Sequence, residues 1–341
     1  MRFAHALIRE ALYAGLVATR RRRVHRQLGE ALAALPAPDP DAVADHFGRA
    51  GDDRAATWLV AAGERAQRAH AHVTAAARYE AAAALLERQG GDTGQRGWLL
   101  LRLAEVADLH DARRNLAAAE EAAHLAAASG DRALAAAALC RRGRAYFVLG
   151  ESRPGFACVE AGVAAIEALP PAERARFNRL DTLGGAATAR NRYLGLLAYM
   201  RAVMGPYPAA VALGERLLGQ VPAPDAATAL DPATRAALGS AHEGLGIAHA
   251  RLGHPAAARR ALGAARAIAE LGGGHFRLGM IAEQELLVAL AYAPERVAAR
   301  RRLAAELEAA LTRGRDEVPL VPRLYTLPLL VLEGQWAVLS R

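Results

Sequence analysis

The sequence predicts an all-α fold, built of antiparallel helix pairs stacked into a superhelix. Three observations carry that prediction. Strong helix formers (Ala, Leu, Arg, Glu) dominate, whereas Ile and Thr are scarce and aromatics make up only 5%. Apolar residues recur at three- and four-residue spacing between short Gly/Pro breaks, with no alternation of strand and helix. Similar helix–turn–helix stretches also return along the chain. At 341 residues and 53% hydrophobic, the chain can bury a large core. That core is rich in alanine, so its helices must pack closely.

The elements follow in order. Phe3, Leu7 and Ala11, then Val24, Leu28, Leu32 and Leu35, space out an N-terminal helical stretch. Its apolar stripe reads as Val24, Leu28 and Leu32, flanked by Arg20 to Arg23, His25 and Arg26 as a solvated face. PAPDPDA (36–42) breaks the pattern, and Asp39 before Pro40 suits an N-cap with proline at the first helical position. Further stops fall at ERQGGDTG (87–94), LPP (169–171), MGPYP (204–208), VPAPDAATALDP (221–232), LGGG (271–274) and VPLVP (318–322). Between them lie helical blocks, largely in pairs.

The clearest repeated unit is HEGLGIAHARLGHPAAARRALGAARAIAE (242–270). Gly246 and Ala250 lie on its first helix, Leu252–Gly253 makes a turn, and Ala258, Leu262 and Ala265 space out the second. In RGRAYFVLGESRPGFACVEAGVAAIEAL (142–169), Gly143, Tyr146 and Leu149–Gly150 match Gly246, His249 and that turn. In AAGERAQRAHAHVTAAARYEAAAALLE (61–87), Gly63, Ala75, Tyr79 and Ala82 stand at the offsets of Gly246, Ala258, Leu262 and Ala265. This small–large–small pattern resembles the tetratricopeptide repeat, whose two helices touch through glycine and alanine; a bulkier residue at Gly246 would push its partner helix away. Such units cannot bury their apolar faces alone, so they stack and leave a concave groove. The piece RLYTLPLLVLEGQWAVLSR (323–341) reads as one helix, a turn at Glu333–Gly334, and a second helix begun at Trp336 and soon cut off. Both ends are therefore expected to be truncated.

Four further blocks carry a narrower resemblance: FAHALIREALY (3–13), RRVHRQLGEAL (22–32), ADHFGRAG (44–51) and ATWLVAAG (56–63). In this order they resemble the region that follows the nucleotide-binding module in bacterial LuxR/MalT-like signal-transduction ATPases. The resemblance covers residues 1–88; beyond it the likeness is to tetratricopeptide helices in general. It implies that residues 1–35 are the remnant of a winged-helix module and residues 36–341 are tetratricopeptide-like repeats. It also implies an adjoining ATPase domain in the parent architecture. His5 resembles the sensor histidine that some of these ATPases place near the ADP phosphate, a role that cannot operate without a phosphate loop. LTRGRDEVPLVPRLY (311–325) resembles the start of a LuxR helix-turn-helix, but Pro319 and Pro322 would break its helix and no recognition helix follows.

Composition excludes several classes. The net charge is +8, yet all 43 basic residues are arginine. Depletion of lysine, isoleucine and asparagine together points to GC-rich coding rather than to selection for phosphate contacts, so no direct nucleic-acid partner is expected. Lacking lysine, the chain cannot form a GxxxxGK[ST] phosphate loop, a Schiff base or a protein-kinase ATP site. Cys140 and Cys158 form no CxxC and read as small hydrophobes in a reduced compartment. Arg9 and Glu10 interrupt the one early apolar stretch, and no run reaches 18 apolar residues, so neither a secretory signal nor a membrane span is expected and the localisation read is cytoplasmic.

The remaining candidates read as structural. GLGIAHARLG (244–253) lies in mid-helix at packing positions rather than after a strand. His70 and His72 point in different directions on a helix, and His242 and His249 stand two turns apart, too far for one metal ion. Asp45–His46 has no serine or cysteine beside it, and LGGGHF (271–276) suits a helix C-cap and loop. No catalytic, cofactor-binding or metal residue, no cofactor and no enzymatic activity is expected. The expectation is a non-catalytic module that binds a protein or small effector in its groove, as part of an ATP-dependent LuxR/MalT-like transcriptional regulator. The alternatives are a stand-alone tetratricopeptide adaptor and the sensor region of an ATPase-linked nucleotide cyclase.

Overall fold

The computed structural model describes residues 13–69, 71–107, 111–181, 189–220, 232–271, 275–293 and 295–312, together with Val331 and Gly334. Helices account for the regular structure of these residues, and no strand occurs among them. The chain forms two compact units, residues 1–183 and 184–341.

Unit 1 runs α1 (Ala18–Ala33), α2 (Pro40–Ala50), α3 (Arg54–Arg68), α4 (His72–Arg88), α5 (Thr93–Ala107), α6 (Ala112–Ser129), α7 (Arg132–Val148), α8 (Ser152–Ala168) and α9 (Pro171–Asp181). From α1 to α8 each helix packs on the next, while α9 returns to lie against α7 and α5. The odd-numbered helices α5, α7 and α9 thereby form one layer. The first helices of successive pairs touch, as stacking of hairpins requires.

Punctuation sets the boundaries. Asp39 accepts the Asp41 amide (3.1 Å) and Pro40 opens α2, as the Asp–Pro step predicts. Gly130 closes α6 at φ 68° and Asp131 then caps α7 by accepting the Leu134 amide (3.0 Å). Gly51 (φ 67°) does the same for α2 before Asp52. A left-handed residue followed by an acid thus ends one helix and starts the next in about three residues. These Gly–Asp junctions are absent from the stops read in the sequence, where neither stands beside a proline.

Unit 2 runs α10 (Ala189–Met204), α11 (Tyr207–Gln220), α12 (Pro232–Arg251), α13 (Pro255–Leu271), α14 (His275–Tyr292) and α15 (Val297–Thr312). Neighbours pack in sequence, and the first helices again meet, α10 with α12 and α12 with α14. Gly244 of α12 presses on α10: a Cβ there would lie 3.0 Å from the Ala198 carbonyl oxygen.

One expectation is corrected. The predicted stripe on α1 is not its buried face: Val24 is 38% exposed and Leu28 43%, whereas His25 and Gly29 are buried. Phe47 of α2 explains the rotation. Its ring lies where a side chain at residue 29 would stand, 2.9 Å from an ideal Cβ, so α1 turns its glycine inward and seats the aromatic ring there. Leu32 and Ala33 still join the cluster of Val43, Phe47 and Ala55.

Candidate binding surface

The ten residues singled out as repeat-packing positions fall on three hairpins. In α3–α4, a Cβ on Gly63 would meet the Tyr79 ring at 2.5 Å, and Ala75, Tyr79 and Ala82 are fully buried. In α12–α13, a Cβ on Gly246 would meet Leu262 Cγ at 2.5 Å, and Ala258, Leu262 and Ala265 are fully buried. In α7–α8, Gly143 sits closer still: its Cβ would meet Val159 Cγ2 at 2.5 Å, the Gly155 oxygen at 2.6 Å and the Val159 nitrogen at 2.7 Å. Gly155, Val159 and Gly162 therefore occupy the offsets that Ala75, Tyr79 and Ala82 occupy after Gly63, a correspondence not drawn from the sequence. Tyr146 is half-buried and its hydroxyl donates to Glu120 of α6 (3.5 Å).

Close pairing leaves the other sides of the first helices to carry polar groups. In unit 1, Glu64 of α3 pairs with Arg102 of α5, and Glu105 of α5 pairs with Arg141 of α7 (3.1 Å). Arg141 is only 5% exposed, so its charge depends on that partner. Asp131, at the start of α7, accepts from Trp98 Nε1 (3.3 Å) and pairs with Arg176 of α9 (3.0 Å), while Trp98 meets the Phe177 ring edge-on at 6.2 Å. The buried Tyr79 hydroxyl donates to Gln67 (2.8 Å), and burial pushes its pKa up. An open cleft of about 400 Å³ lies over these helices, with Val60, Leu86, Trp98 and Leu99 as its apolar wall and Glu64, Arg102, Asp92 and Arg176 at its polar side.

Unit 2 carries a second open cleft, of about 530 Å³, lined by Ile247, Leu262, Leu287, Val288 and Leu290 with Arg251 and Gln284. Tyr292 closes one end by donating to the Ala250 carbonyl (2.6 Å). Elsewhere on α12 and α14, Arg277 donates to Ser240 (2.9 Å) and pairs with Glu243 (3.0 Å). Glu283 is 6% exposed and its Oε2 has no hydrogen-bond partner. Burial, and then the neighbouring Glu243, push its pKa up to about 7. Burial raises Glu243 as well, opposed by Arg277. On α13, Arg266 bridges Glu285 of α14 and Glu306 of α15, tying three helices together.

Other sequence candidates are placed as follows. His242 and His249 both lie on α12 and burial lowers the pKa of each; the His249 and His254 ring centroids stand 5.8 Å apart. Cys140 is buried and Cys158 half-buried, and neither forms a disulfide among the described residues. His5, His70, Gly272 to Gly274 and the 313–325 part of LTRGRDEVPLVPRLY lie outside the described residues. Among the described residues no three His, Cys, Asp or Glu side chains gather as a metal site would need, and no helix is long and apolar enough to cross a membrane. Two of the four N-terminal blocks do meet: His25 of RRVHRQLGEAL touches His46 of ADHFGRAG, Nδ1 to Nδ1, at 2.8 Å.

No family model matches the chain, and none of the curated proteins compared matches it. Among solved structures, the chain is similar to the crystal structure of a Rap protein complexed with competence and sporulation factor. The identity is 14% over 87% of this chain and 79% of that chain, with a TM-score of 0.49. The chain itself is an all-α protein of antiparallel helix pairs.

Proposed function

We propose that this chain is a non-catalytic helical-repeat module that binds a protein segment or small effector along the first helices of its pairs. It acts in the cytoplasm as the sensing part of a LuxR/MalT-like signal-transduction ATPase. Residues 1–35 close a winged-helix module, residues 36–341 form the repeat array, and the neighbouring ATPase domain reads the bound state. The observation that carries this reading is the chemistry of the unit 1 cleft. Its apolar wall is built from Val60, Leu86, Trp98 and Leu99, and Glu64 and Arg176 spend their charge on Arg102 and Asp131. An apolar surface rimmed by mutually paired charges suits recognition, whereas catalysis needs an acid, base or nucleophile held ready for substrate. Of the repeat-packing positions, Gly63, Ala75, Tyr79 and Ala82 keep α3 and α4, which help line this cleft, close together.

The test starts from the neighbouring DNA. An adjacent reading frame carrying a GxxxxGK[ST] loop is expected, and its product should elute with this chain in gel filtration. A second arm replaces the half-buried Val60 with Arg in the cleft wall; capture of the effector should fall at least tenfold, about 1.4 kcal/mol, while the helical circular dichroism persists. A chain with its own promoter and stop and no ATPase neighbour would contradict the reading.

A further inference from the structure

The junction between α1 and α2 combines apolar packing, Phe47 on Gly29 with Leu32 and Ala33 nearby, with a polar contact through histidines. The polar contact is part-buried: His25 Nδ1 lies 2.8 Å from the half-buried His46 Nδ1, and His25 Nε2 lies 2.9 Å from the hydroxyl of the exposed Tyr13. The two imidazoles tilt at 33° with centroids 5.1 Å apart. His25 is 6% exposed, and the other buried residue of α1 is Gly29, seated on Phe47.

Counting protons shows what this geometry permits. Two nitrogens 2.8 Å apart share one proton, which one donates and the other accepts. In the neutral pair that proton fills the gap and the second ring proton sits on one of the two Nε2 atoms. A third proton is accommodated on the remaining Nε2, with His25 then donating to the Tyr13 oxygen. A fourth has nowhere to go except the filled gap, where it would set N–H against N–H between two cations. The contact survives the first added proton and breaks on the second.

The surroundings do not absorb that second charge. Across from His25 on α2 stand His46, Asp45 and Arg49, and Asp45 is already bonded to Arg49 (3.0 Å). From the segment before α1, Tyr13 faces His25, with the Arg21 guanidinium 5.5 Å from the Tyr13 ring centroid. Near the start of α3, Asp52 pairs with Arg26 (3.2 Å) and Arg54, and Arg54 also reaches Glu30 (2.9 Å), so these groups are spent on one another. Burial first, then His46 and Arg49, hold the His25 pKa below its usual 6.5 against the smaller pull of Asp45. The sign follows: a lowered histidine pKa favours the docked state at neutral pH, and that preference is lost as pH falls below 6.5 through the folded value.

We propose that His25, His46 and Tyr13 form an acid-released latch, which docks α1 on α2 while one proton lies between the imidazoles and frees α1 when both are protonated. Release would uncover Phe47 and detach the helix that carries Arg20 to Arg23 from the repeat array. This goes beyond the recognition role above and needs no partner to be seen.

Hydrogen–deuterium exchange of the full chain tests it, with exchange times rescaled for the intrinsic pH dependence of amide exchange. Between pH 7.5 and 5.0 the rescaled exchange of residues 18–33 should rise about tenfold or more, while α7 and α8 change less than about twofold. In His46→Asn the amide can still meet His25 but takes no second proton, so the step should shrink to less than about twofold. Tyr13→Phe keeps the Nδ1 contact and should keep the step. If His46→Asn does not fold at pH 7.5, His25→Asn is read in the same way. A flat α1 profile in the unaltered protein, or an undiminished step in the asparagine variant, overturns the latch.

Discussion

Two helix pairs of unit 1 use opposite means to stay together. In α7–α8, Gly143 faces Gly155 and Val159, and Gly162 faces Cys140, so backbone approaches backbone and little polar side chain intervenes. In α1–α2, Phe47 packs on Gly29 beside a part-buried contact of two imidazoles and a tyrosine hydroxyl, while Val24 and Leu28 stay partly exposed. The first junction is held by shape, which pH does not alter. The second adds to its apolar packing a contact whose hold depends on a proton count. The difference teaches that one architecture accommodates both permanent and conditional contacts, and that the residue facing the neighbour decides which.

The largest effect is expected where shape alone holds the contact. Gly143→Ala should destabilise unit 1 by about 3 kcal/mol in denaturant unfolding, the top of the usual range for overpacking, because two of the three obstructing atoms are backbone and cannot rotate away. A loss under about 0.5 kcal/mol would mean the two helices separate freely.

Unit 2 sharpens the same contrast by placing an ionisable group inside a buried interface. The Glu283 pKa, raised from 4.5 to about 7, means the folded state holds the proton longer than the unfolded chain does. Stability is therefore full below 4.5 and is lost as pH rises toward 7, by on the order of 3–4 kcal/mol at ~1.4 kcal/mol per pKa unit. Glu283→Gln should unfold at the same denaturant concentration as the unaltered chain at pH 4.5 and at a higher one at pH 8. Parallel profiles would place the carboxyl in water.

The smallest effect concerns α1. Leu28 is 43% exposed, so Leu28→Ser should cost less than about 0.5 kcal/mol in the same unfolding measurement. Were the sequence stripe the buried face, the cost would be nearer 2 kcal/mol.

That last pair of values marks how far the sequence could be read. Helix identity, the Asp39–Pro40 start and the glycine offsets of α3–α4 and α12–α13 were legible, because they depend on neighbours within one hairpin. The orientation of α1 was not, since hydrophobic period favours Val24 and Leu28 and only the Phe47 ring, supplied from α2, makes Gly29 the better contact. The Glu64–Arg102 and Glu105–Arg141 pairs join first helices of successive hairpins, which no local pattern aligns. The same holds for Glu243 and Glu283. Gly155 and Gly162 escape the small–large–small pattern because α8 keeps the spacing but carries glycine where the other repeats carry alanine. The His25–His46 contact was hidden for another reason: each histidine, taken alone, looks like a surface residue.

A double-mutant cycle measures most directly whether glycines at these offsets set the pairing. At Gly246 the obstruction is the Leu262 side chain (2.5 Å), which can be removed; at Gly143 it is largely the backbone of α8. Leu262→Ala should therefore relieve Gly246→Ala, with a coupling energy of about 1 kcal/mol, whereas Val159→Ala should leave the cost of Gly143→Ala nearly unchanged. Equal coupling at both sites, or none at Gly246, would contradict the packing described for these hairpins.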